Sequence, residues 1–288
     1  MVSAEAPVRA RCRLRRRGHG RHLGRLSRRR AHRDLRDRTA VPQKISGFFS
    51  AQNFNVAKDP RVEIVYDDAR RFILTSHEQF DIITSDPIHP WLKGSASLYT
   101  REYFEHVKQH LKPGGVVTHW VPMYETTIDA VKSEMATFFA VFPDGIVWVN
   151  DRDNGGDLVL FGQVDPKPID VDKVAERFDR AENARAAKAL REVGFTSPVD
   201  LLSSYAGHAR ELAAWLKDAA INTDRDLRLQ YLAGMGLNVD AQDEIYFGLA
   251  EVRRLPSGLF AGSEETLAEL REAIERNRRH PGEPNAQR

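Results

Sequence analysis

The sequence contains a single cysteine, Cys12, among 288 residues. One thiol excludes an internal disulfide and a cysteine zinc cluster, and it fits a reducing compartment. Long apolar runs are also lacking, since none approaches the roughly 20 residues that cross a bilayer. The basic N-terminus has no continuous apolar stretch of the kind found in secretory signals. We therefore expect a cytoplasmic protein with no membrane-spanning segment in this chain.

Acidic side chains are scarce at the N-terminus, and lysine is absent there. Residues 1–40 contain 14 arginines against three acids, a formal charge of +11, whereas the other 248 residues carry 29 basic and 38 acidic side chains, a charge of −9. An acidic body suits a cationic small molecule better than nucleic acid. We expect a small-molecule amine as the partner of this body, and no nucleic acid.

Strand and helix patterns alternate from Arg61 onward. Strands are predicted at 62–66, 80–86 and 115–122, helices at 98–111 and 126–142, and a closing hairpin at 145–150 and 157–163 around the turn DRDNGG. Such alternation predicts an α/β, Rossmann-like, mostly parallel sheet. From about Val164 the pattern becomes helical, with helices predicted at 170–178, 180–193, 197–218, 224–234, 240–254 and 263–278. The predicted domains are a segment at 1–43, an α/β domain at 44–163 and a helical extension at 164–288.

Acidic residues follow two of the predicted strands, where ligands bind in open α/β sheets. Asp67 and Asp68 come after 62–66, and Asp86 ends the strand at 80–86. A carboxylate at this position accepts hydrogen bonds from amines or hydroxyls, although an aspartate there also caps helices. For Asp67 we favour the cap. For Asp86 we favour a ligand, because Pro87 and Pro90 make a rigid loop instead of a helix start.

Aromatic and imidazole side chains surround this loop in the sequence. Trp91 and Tyr99 are candidates to line a ligand slot, although single aromatic residues more often pack in a core. His89 and His119 are candidate bases. Ten histidines occur without HExxH or a similar spacing, so no metal is expected. The stretch NTDRD at 222–226 is either a cover over the site or, more simply, a helix N-cap.

The stretches VEIVYDDARRF, FDIITSDP and SLYTREYFEHVKQHLKPGGVV resemble the core of the spermidine synthase (polyamine aminopropyltransferase) family. The similarity is greatest to bacterial spermidine-synthase-like proteins, whose methyltransferase-type Rossmann domain can be fused to membrane segments. It covers roughly residues 44–163, and INTDRDLRLQYLAG resembles their helical extension. The resemblance implies transfer of an aminopropyl group from decarboxylated S-adenosylmethionine to an amine, without a metal. A homodimer is a further expectation.

The resemblance also assigns residues. It places Asp67, Asp68 and Ala69 at the adenine of the nucleotide, and it makes Asp86 the catalytic residue that anchors the amine and accepts its proton. Trp91 and Tyr99 would shape the amine slot. Two positions depart from the family pattern: His89 stands where a second aspartate is usual, in D-x-x-D-P, and His119 stands where relatives tend to have glutamine.

Two other functions stay open at this stage. DPIHPW is reminiscent of the D-P-P-[YW] loop of S-adenosylmethionine-dependent N-methyltransferases, whereas the helix SLYTREYF argues against that class. The chain would be a non-catalytic fragment or pseudoenzyme if it binds no nucleotide. Residues 1–43 raise this question, because they offer no first strand, glycine-rich turn or acidic strand end.

Three interpretations compete for residues 1–43. We favour a segment translated out of frame, because arginine codons read one base later encode Gly, Ala, Val, Asp or Glu, and AHRDLRDRT can then read RIAICEIEP. A disordered basic tail is the second interpretation. A nucleic-acid-binding arm is the third, and the absence of aromatic residues among the arginines argues against it. Sequencing the coding DNA decides the first: stop codons in the shifted frame would exclude it.

Overall fold

The computed structural model describes residues 46–51, 53–65, 67–150 and 157–279. The interpretations of residues 1–43 and of the turn at 151–156 lie outside this part of the chain. The chain divides after Thr75 into two compact units, Met1–Thr75 and Ser76–Arg288. No helix in the described ranges is long and apolar enough to cross a membrane.

The described part of the first unit contains short 3-10 turns and one helix. The turns are Ser46–Phe49 and Val56–Lys58, and helix α1 is Ala69–Thr75. The predicted strand at 62–66 is wrong for residues 62–65, which form no regular structure. Tyr66 lies outside the described residues.

The second unit is built on a five-stranded sheet. Its strands are β1 Phe80–Ser85, β2 Leu111–Pro122, β3 Ile146–Asn150, β4 Asp157–Gln163 and β6 Tyr205–His208, in the order β1-β2-β4-β3-β6. A second, two-stranded parallel sheet pairs β5 Ile169–Asp170 with β7 Phe260–Ala261. The helices are α2 Arg101–Gln109, α3 Ile128–Val141, α4 Val171–Asp179, α5 Ala184–Glu192, α6 Pro198–Leu202, α7 Ala209–Leu212, α8 Arg228–Gly234, α9 Gln242–Val252 and α10 Glu264–Arg279.

The α/β class, the closing hairpin and the helical C-terminal extension are confirmed. The description "mostly parallel" needs a correction for the five-stranded sheet as the structure describes it, because β1–β2 is parallel and the other three ladders of that sheet are antiparallel. The reason is the hairpin itself: β4 inserts between β2 and β3 and runs against both. The predicted helix at 197–218 is also wrong in its middle, where β6 joins the sheet beside β3.

Local sequence explains where the central elements begin and end. The Thr100 side chain accepts a hydrogen bond from the Tyr103 amide (3.2 Å) and caps α2, and Thr127 does the same for α3. After α2 the chain turns sharply into β2. Gly115 lies within β2, just before the regular pairing with β1 that starts at Val116. A Cβ there would lie 2.8 Å from the Lys112 carbonyl oxygen, so this position requires glycine.

One hydrophobic core joins the sheet to helices from both halves of the chain. Leu158 and Leu160 of β4 pack in it with Phe138 of α3, and the C-terminal region contributes Leu212 and Ile245. These side chains are almost entirely shielded from solvent. Burial at this level contributes about 1.5–3 kcal/mol for each large aliphatic side chain. The C-terminal region therefore helps to stabilise the sheet that positions the candidate site.

Candidate functional site

Strand direction brings two carboxylates to one edge of the sheet. Asp86 follows the last residue of β1, and β2 runs parallel to β1 and ends at Pro122. Asp157 begins β4 directly opposite Pro122, because the β2–β4 ladder is antiparallel. Asp86 is exposed and Asp157 is half-buried. This edge is the carboxyl end of the parallel strands, where α/β sheets bind ligands.

Four rings lie together beside these carboxylates, and we call them the aromatic cluster: His89, Trp91, Trp120 and Tyr124. The His89 and Trp91 rings stack with centroids 4.0 Å apart and planes 13° from parallel. Tyr124 meets the His89 ring edge-on at 5.1 Å, and Trp120 lies 5.4 Å from it. The structure thus brings together His89 and Trp91, both predicted as substrate-binding residues, with two further aromatic residues that the sequence analysis did not select.

Titration of this region is governed by burial. Burial lowers the pKa of His89, while the Glu125 and Asp157 carboxylates oppose that shift. Burial also raises the pKa of Asp157, with the Asp86 charge adding to the shift and a side-chain hydrogen bond from Trp120 opposing it. Neutral forms of both groups are therefore favoured relative to the free side chains. A ligand of opposite charge bound beside His89 or Asp157 would favour the charged form of that side chain.

Tyr99 lies under the loop instead of lining an open slot. Its side chain is fully buried, and its hydroxyl lies 3.3 Å from the Ile88 carbonyl oxygen and 3.4 Å from that of Pro87. Ser95 Oγ also donates to the Ile88 carbonyl. Burial raises the pKa of Tyr99, and the Glu134 and Asp86 carboxylates add to the increase. The geometry makes Tyr99 a support for the loop that follows Asp86; its predicted contact with an amine stays a prediction.

His119 points away from the aromatic cluster. Successive residues of a strand face opposite sides of a sheet, so His119 and its neighbour Trp120 project in opposite directions. His119 is 1% exposed and packs edge-on against the rings of Tyr99 (4.7 Å) and Phe104 (4.9 Å). Neither ring nitrogen has a hydrogen-bond partner within the described ranges. Burial lowers the pKa of His119 to about 3. A direct role in substrate binding, which the sequence analysis expected, stays untested.

Asn222 belongs to the C-terminal region and holds the segment from Ala96 to Tyr99 in place. Its side-chain NH₂ donates to the carbonyls of Ala96 (3.0 Å) and Tyr99 (3.1 Å), and its Oδ1 accepts from the Leu229 amide (3.1 Å). Its backbone amide donates to Thr137 Oγ1 (2.9 Å). Asn222 is fully buried. The sequence analysis weighed 222–226 as a cover or an N-cap, and the structure shows a buried clamp instead.

The predicted adenine residues lie in the first unit and form a helix start. Asp68 Oδ1 accepts a hydrogen bond from the Arg71 amide (2.9 Å), and Asp67 Oδ1 accepts from the Asp68 amide (2.9 Å). Ala69 is the first residue of α1. All three are exposed. The capping role considered for this aspartate pair is thus realised by Asp68, and contact with adenine stays a prediction.

In the described part of the chain, no group of three or more His, Cys, Asp or Glu side chains is placed to hold an ion. The site brings together two carboxylates, an imidazole and three larger aromatic rings. Such a set can bind a cationic amine through charge and through the faces of the rings. It can also accept a proton from that amine.

The fold and this strand-edge site define the class: an α/β protein with a central mixed sheet. Comparison with known proteins narrows the class. Residues 43–149 match the spermine/spermidine synthase domain family. This segment of the chain is similar to that family.

Individual relatives support the same family. The chain is 33% identical over 88 residues to the polyamine aminopropyltransferase of Lachnospira eligens, with 30% of each chain covered. It is 30% identical over 122 residues to polyamine aminopropyltransferase 2 of Hyperthermus butylicus, with 40% of each covered. The chain thus matches less than half the length of these curated relatives.

The solved structures of spermidine synthases share a lower sequence identity with this chain. A probable spermidine synthase from Corynebacterium glutamicum is 22% identical, with 62% of this chain and 60% of that chain covered and a TM-score of 0.41. The spermidine synthase of Thermotoga maritima is 20% identical, with 54% and 56% covered and a TM-score of 0.35.

Proposed function

We propose that the protein transfers an aminopropyl group from decarboxylated S-adenosylmethionine to a small amine, with Asp86 as the catalytic base. The observation that carries the proposal is the place of Asp86. It is exposed at the carboxyl end of β1, beside the aromatic cluster and inside the segment that matches the spermine/spermidine synthase domain.

The chemistry requires a carboxylate at this position. An amine attacks carbon only through a neutral nitrogen, yet alkylamines are protonated near neutral pH. Asp86 would attract the ammonium group and accept its proton. The nitrogen then forms a bond to the propyl carbon as the carbon–sulfur bond breaks. Methylthioadenosine leaves with the sulfur electron pair, and Asp86 returns its proton to solvent.

The aromatic cluster would hold the carbon chain of the amine. The ring centroids of Trp91, Trp120 and Tyr124 lie between 4.0 and 5.4 Å from the centroid of His89, and together the rings offer both faces and edges. Ring faces attract ammonium groups and bury methylene groups, so they complement a carboxylate that binds one end of the substrate. In the unit that ends at Thr75, Asp67, Asp68 and Ala69 remain the proposed contacts of the adenine group.

A product assay tests the proposal. The full chain is incubated with putrescine and either decarboxylated S-adenosylmethionine or S-adenosylmethionine, and the nucleoside products are separated by chromatography. We expect methylthioadenosine with the first. Asp86→Asn should lower its rate about 100-fold to 10,000-fold, the usual contribution of a general base.

Asp81→Asn is the matched control. Asp81 lies on β1, the strand that Asp86 follows, but it pairs at the surface with Lys112 (2.8 Å), so its loss should leave the rate unchanged. Formation of S-adenosylhomocysteine would favour the N-methyltransferase alternative. Absence of both products, together with no heat of binding for either nucleotide, would favour the non-catalytic alternative.

A further inference from the structure

The loop that follows Asp86 depends on a neighbouring turn for its position. Residues 86–94 form no helix or strand, and the 3-10 turn Ser95–Tyr99 comes next. The Ser95 hydroxyl donates a hydrogen bond to the Ile88 carbonyl, and the Tyr99 hydroxyl donates to the same oxygen at 3.3 Å. Both side chains are buried. A shift of the turn would therefore shift the loop.

Asn222 joins this turn to the core of the protein. Its side-chain NH₂ donates to the carbonyls of Ala96 (3.0 Å) and Tyr99 (3.1 Å), which both lie within the turn. Its own carbonyl accepts a hydrogen bond from the Arg101 amide (2.9 Å), and its amide donates to Thr137 Oγ1 of α3 (2.9 Å). One buried residue of the C-terminal region thus holds the turn against a core helix.

The same side chain fixes helix α8, which packs near the aromatic cluster. Asn222 Oδ1 accepts a hydrogen bond from the amide of Leu229 (3.1 Å), the second residue of α8. Amides in the first turn of a helix lack a partner within the helix, so this contact stabilises the start of α8. Leu229 and Ala233 pack with Tyr99 in one small core, and Trp91 packs against that core.

We propose that Asn222 is a positioning residue for the transfer reaction. Through the turn Ser95–Tyr99 it holds the loop 86–94 in the conformation in which Asp86 meets the reacting amine. This inference rests on the aminopropyl transfer proposed above. A catalytic group that is misplaced by about 1 Å can cost about 100-fold in rate, so a contact remote from the reacting atoms can control the rate in this way.

The test compares Asn222→Ala with Asn277→Ala in the full chain. Asn277 is the matched control, because its NH₂ group also donates two hydrogen bonds within the C-terminal region, to the carbonyl (3.2 Å) and hydroxyl (2.9 Å) of Ser203. The kcat and the KM for putrescine are measured at a temperature at which circular dichroism shows that both variants are folded.

Asn222→Ala should lower kcat about 10-fold to 100-fold, whereas Asn277→Ala should leave kcat unchanged. The KM should change less than kcat in Asn222→Ala, because the carboxylate and the rings proposed to hold the amine are still present. An equal loss of kcat in both variants, or a loss in neither, would overturn the inference and make Asn222 a structural residue only.

A second variant reaches the loop without altering the C-terminal region. Ser95→Ala removes the hydrogen bond from the turn to the Ile88 carbonyl and should also lower kcat. Because Ser95 and Asn222 act on the same loop, the double variant should lose less than the product of the two single losses. Losses that multiply would mean that the two residues act independently, and this outcome would also overturn the inference.

Hydrogen exchange separates this inference from the proposed reaction. Exchange of the backbone amides at 88–99 is followed by mass spectrometry without nucleotide or amine, with β4 as the internal reference. Relative to β4, exchange should be about tenfold faster in Asn222→Ala and unchanged in Asn277→Ala. Equal exchange in wild type and Asn222→Ala overturns the inference even if transfer is observed. Wild-type protein that forms no methylthioadenosine overturns the proposed function, and the exchange rates alone then decide whether Asn222 holds the loop.

Discussion

Replacement of His119 by leucine should make the protein less sensitive to acid. The imidazole is buried between two aromatic rings, and burial lowers its pKa from 6.5 to about 3. Below pH 6.5 the unfolded chain binds a proton at this position and the folded protein does not. Stability is therefore retained above pH 6.5 and falls as the pH drops from 6.5 towards 3.

The magnitude follows from the width of that range. Each pKa unit corresponds to about 1.4 kcal/mol, so at pH 4.5 the histidine costs the folded state about 3 kcal/mol that leucine would not. At pH 7.5 the unfolding free energies of the variant and the wild type should differ by less than they do at pH 4.5. Lost ring contacts cost about 0.5–1.5 kcal/mol each, and removal of unpaired ring nitrogens offsets this by about 1–3 kcal/mol.

The assay is urea unfolding, followed by tryptophan fluorescence at pH 7.5 and pH 4.5. The quantity of interest is the loss of unfolding free energy between the two pH values, because other acid-sensitive groups contribute equally to both proteins. His77→Leu is the control, since His77 is exposed and its loss should not alter this difference. If His119→Leu loses as much stability as wild type on acidification, the imidazole is not held neutral by burial.

Two further predictions concern buried polar side chains of the same unit. Burial raises the pKa of Glu134 well above its ordinary value, so its ionisation destabilises the fold as the pH rises. The variant Glu134→Met should therefore be roughly 1–3 kcal/mol more stable than wild type at pH 8, whereas Glu244→Gln, at an exposed position, should leave the stability unchanged. A methionine variant that is less stable than wild type would mean that the carboxyl has a structural role. Asn222→Ala should lose about 3 kcal/mol or more in urea unfolding, because three backbone groups lose their partner at a buried position, and a loss below about 1 kcal/mol would contradict the clamp.

The sequence predicted the central elements well where periodicity and turn residues agree. The strand at 157–163 matches β4, and the helix at 126–142 contains α3. β6 was missed because a four-residue run that is buried throughout, YAGH, has no alternation to distinguish it from a helix. The 62–66 run has the composition of a strand, but composition alone does not provide a pairing partner.

The candidate site was predictable only in part. Asp86, His89 and Trp91 could be selected because they follow a strand within six residues of one another. Asp157 could not be, since its place beside them depends on the register of the hairpin with β2. The partners of Asn222 are more than 120 residues away at Ala96 and Tyr99, and no local pattern signals such a contact.

The strand β6 has a consequence for the behaviour of the molecule at high concentration. It pairs with β3 through Ile146, Val147 and Trp148 and so occupies the open hydrogen-bonding side of that strand. Unpaired strand edges recruit strands of other molecules, and short terminal strands reduce this hazard. A chain that is shortened before Ser204 would expose the apolar edge of β3, and we expect such a chain to aggregate through intermolecular β-sheet pairing.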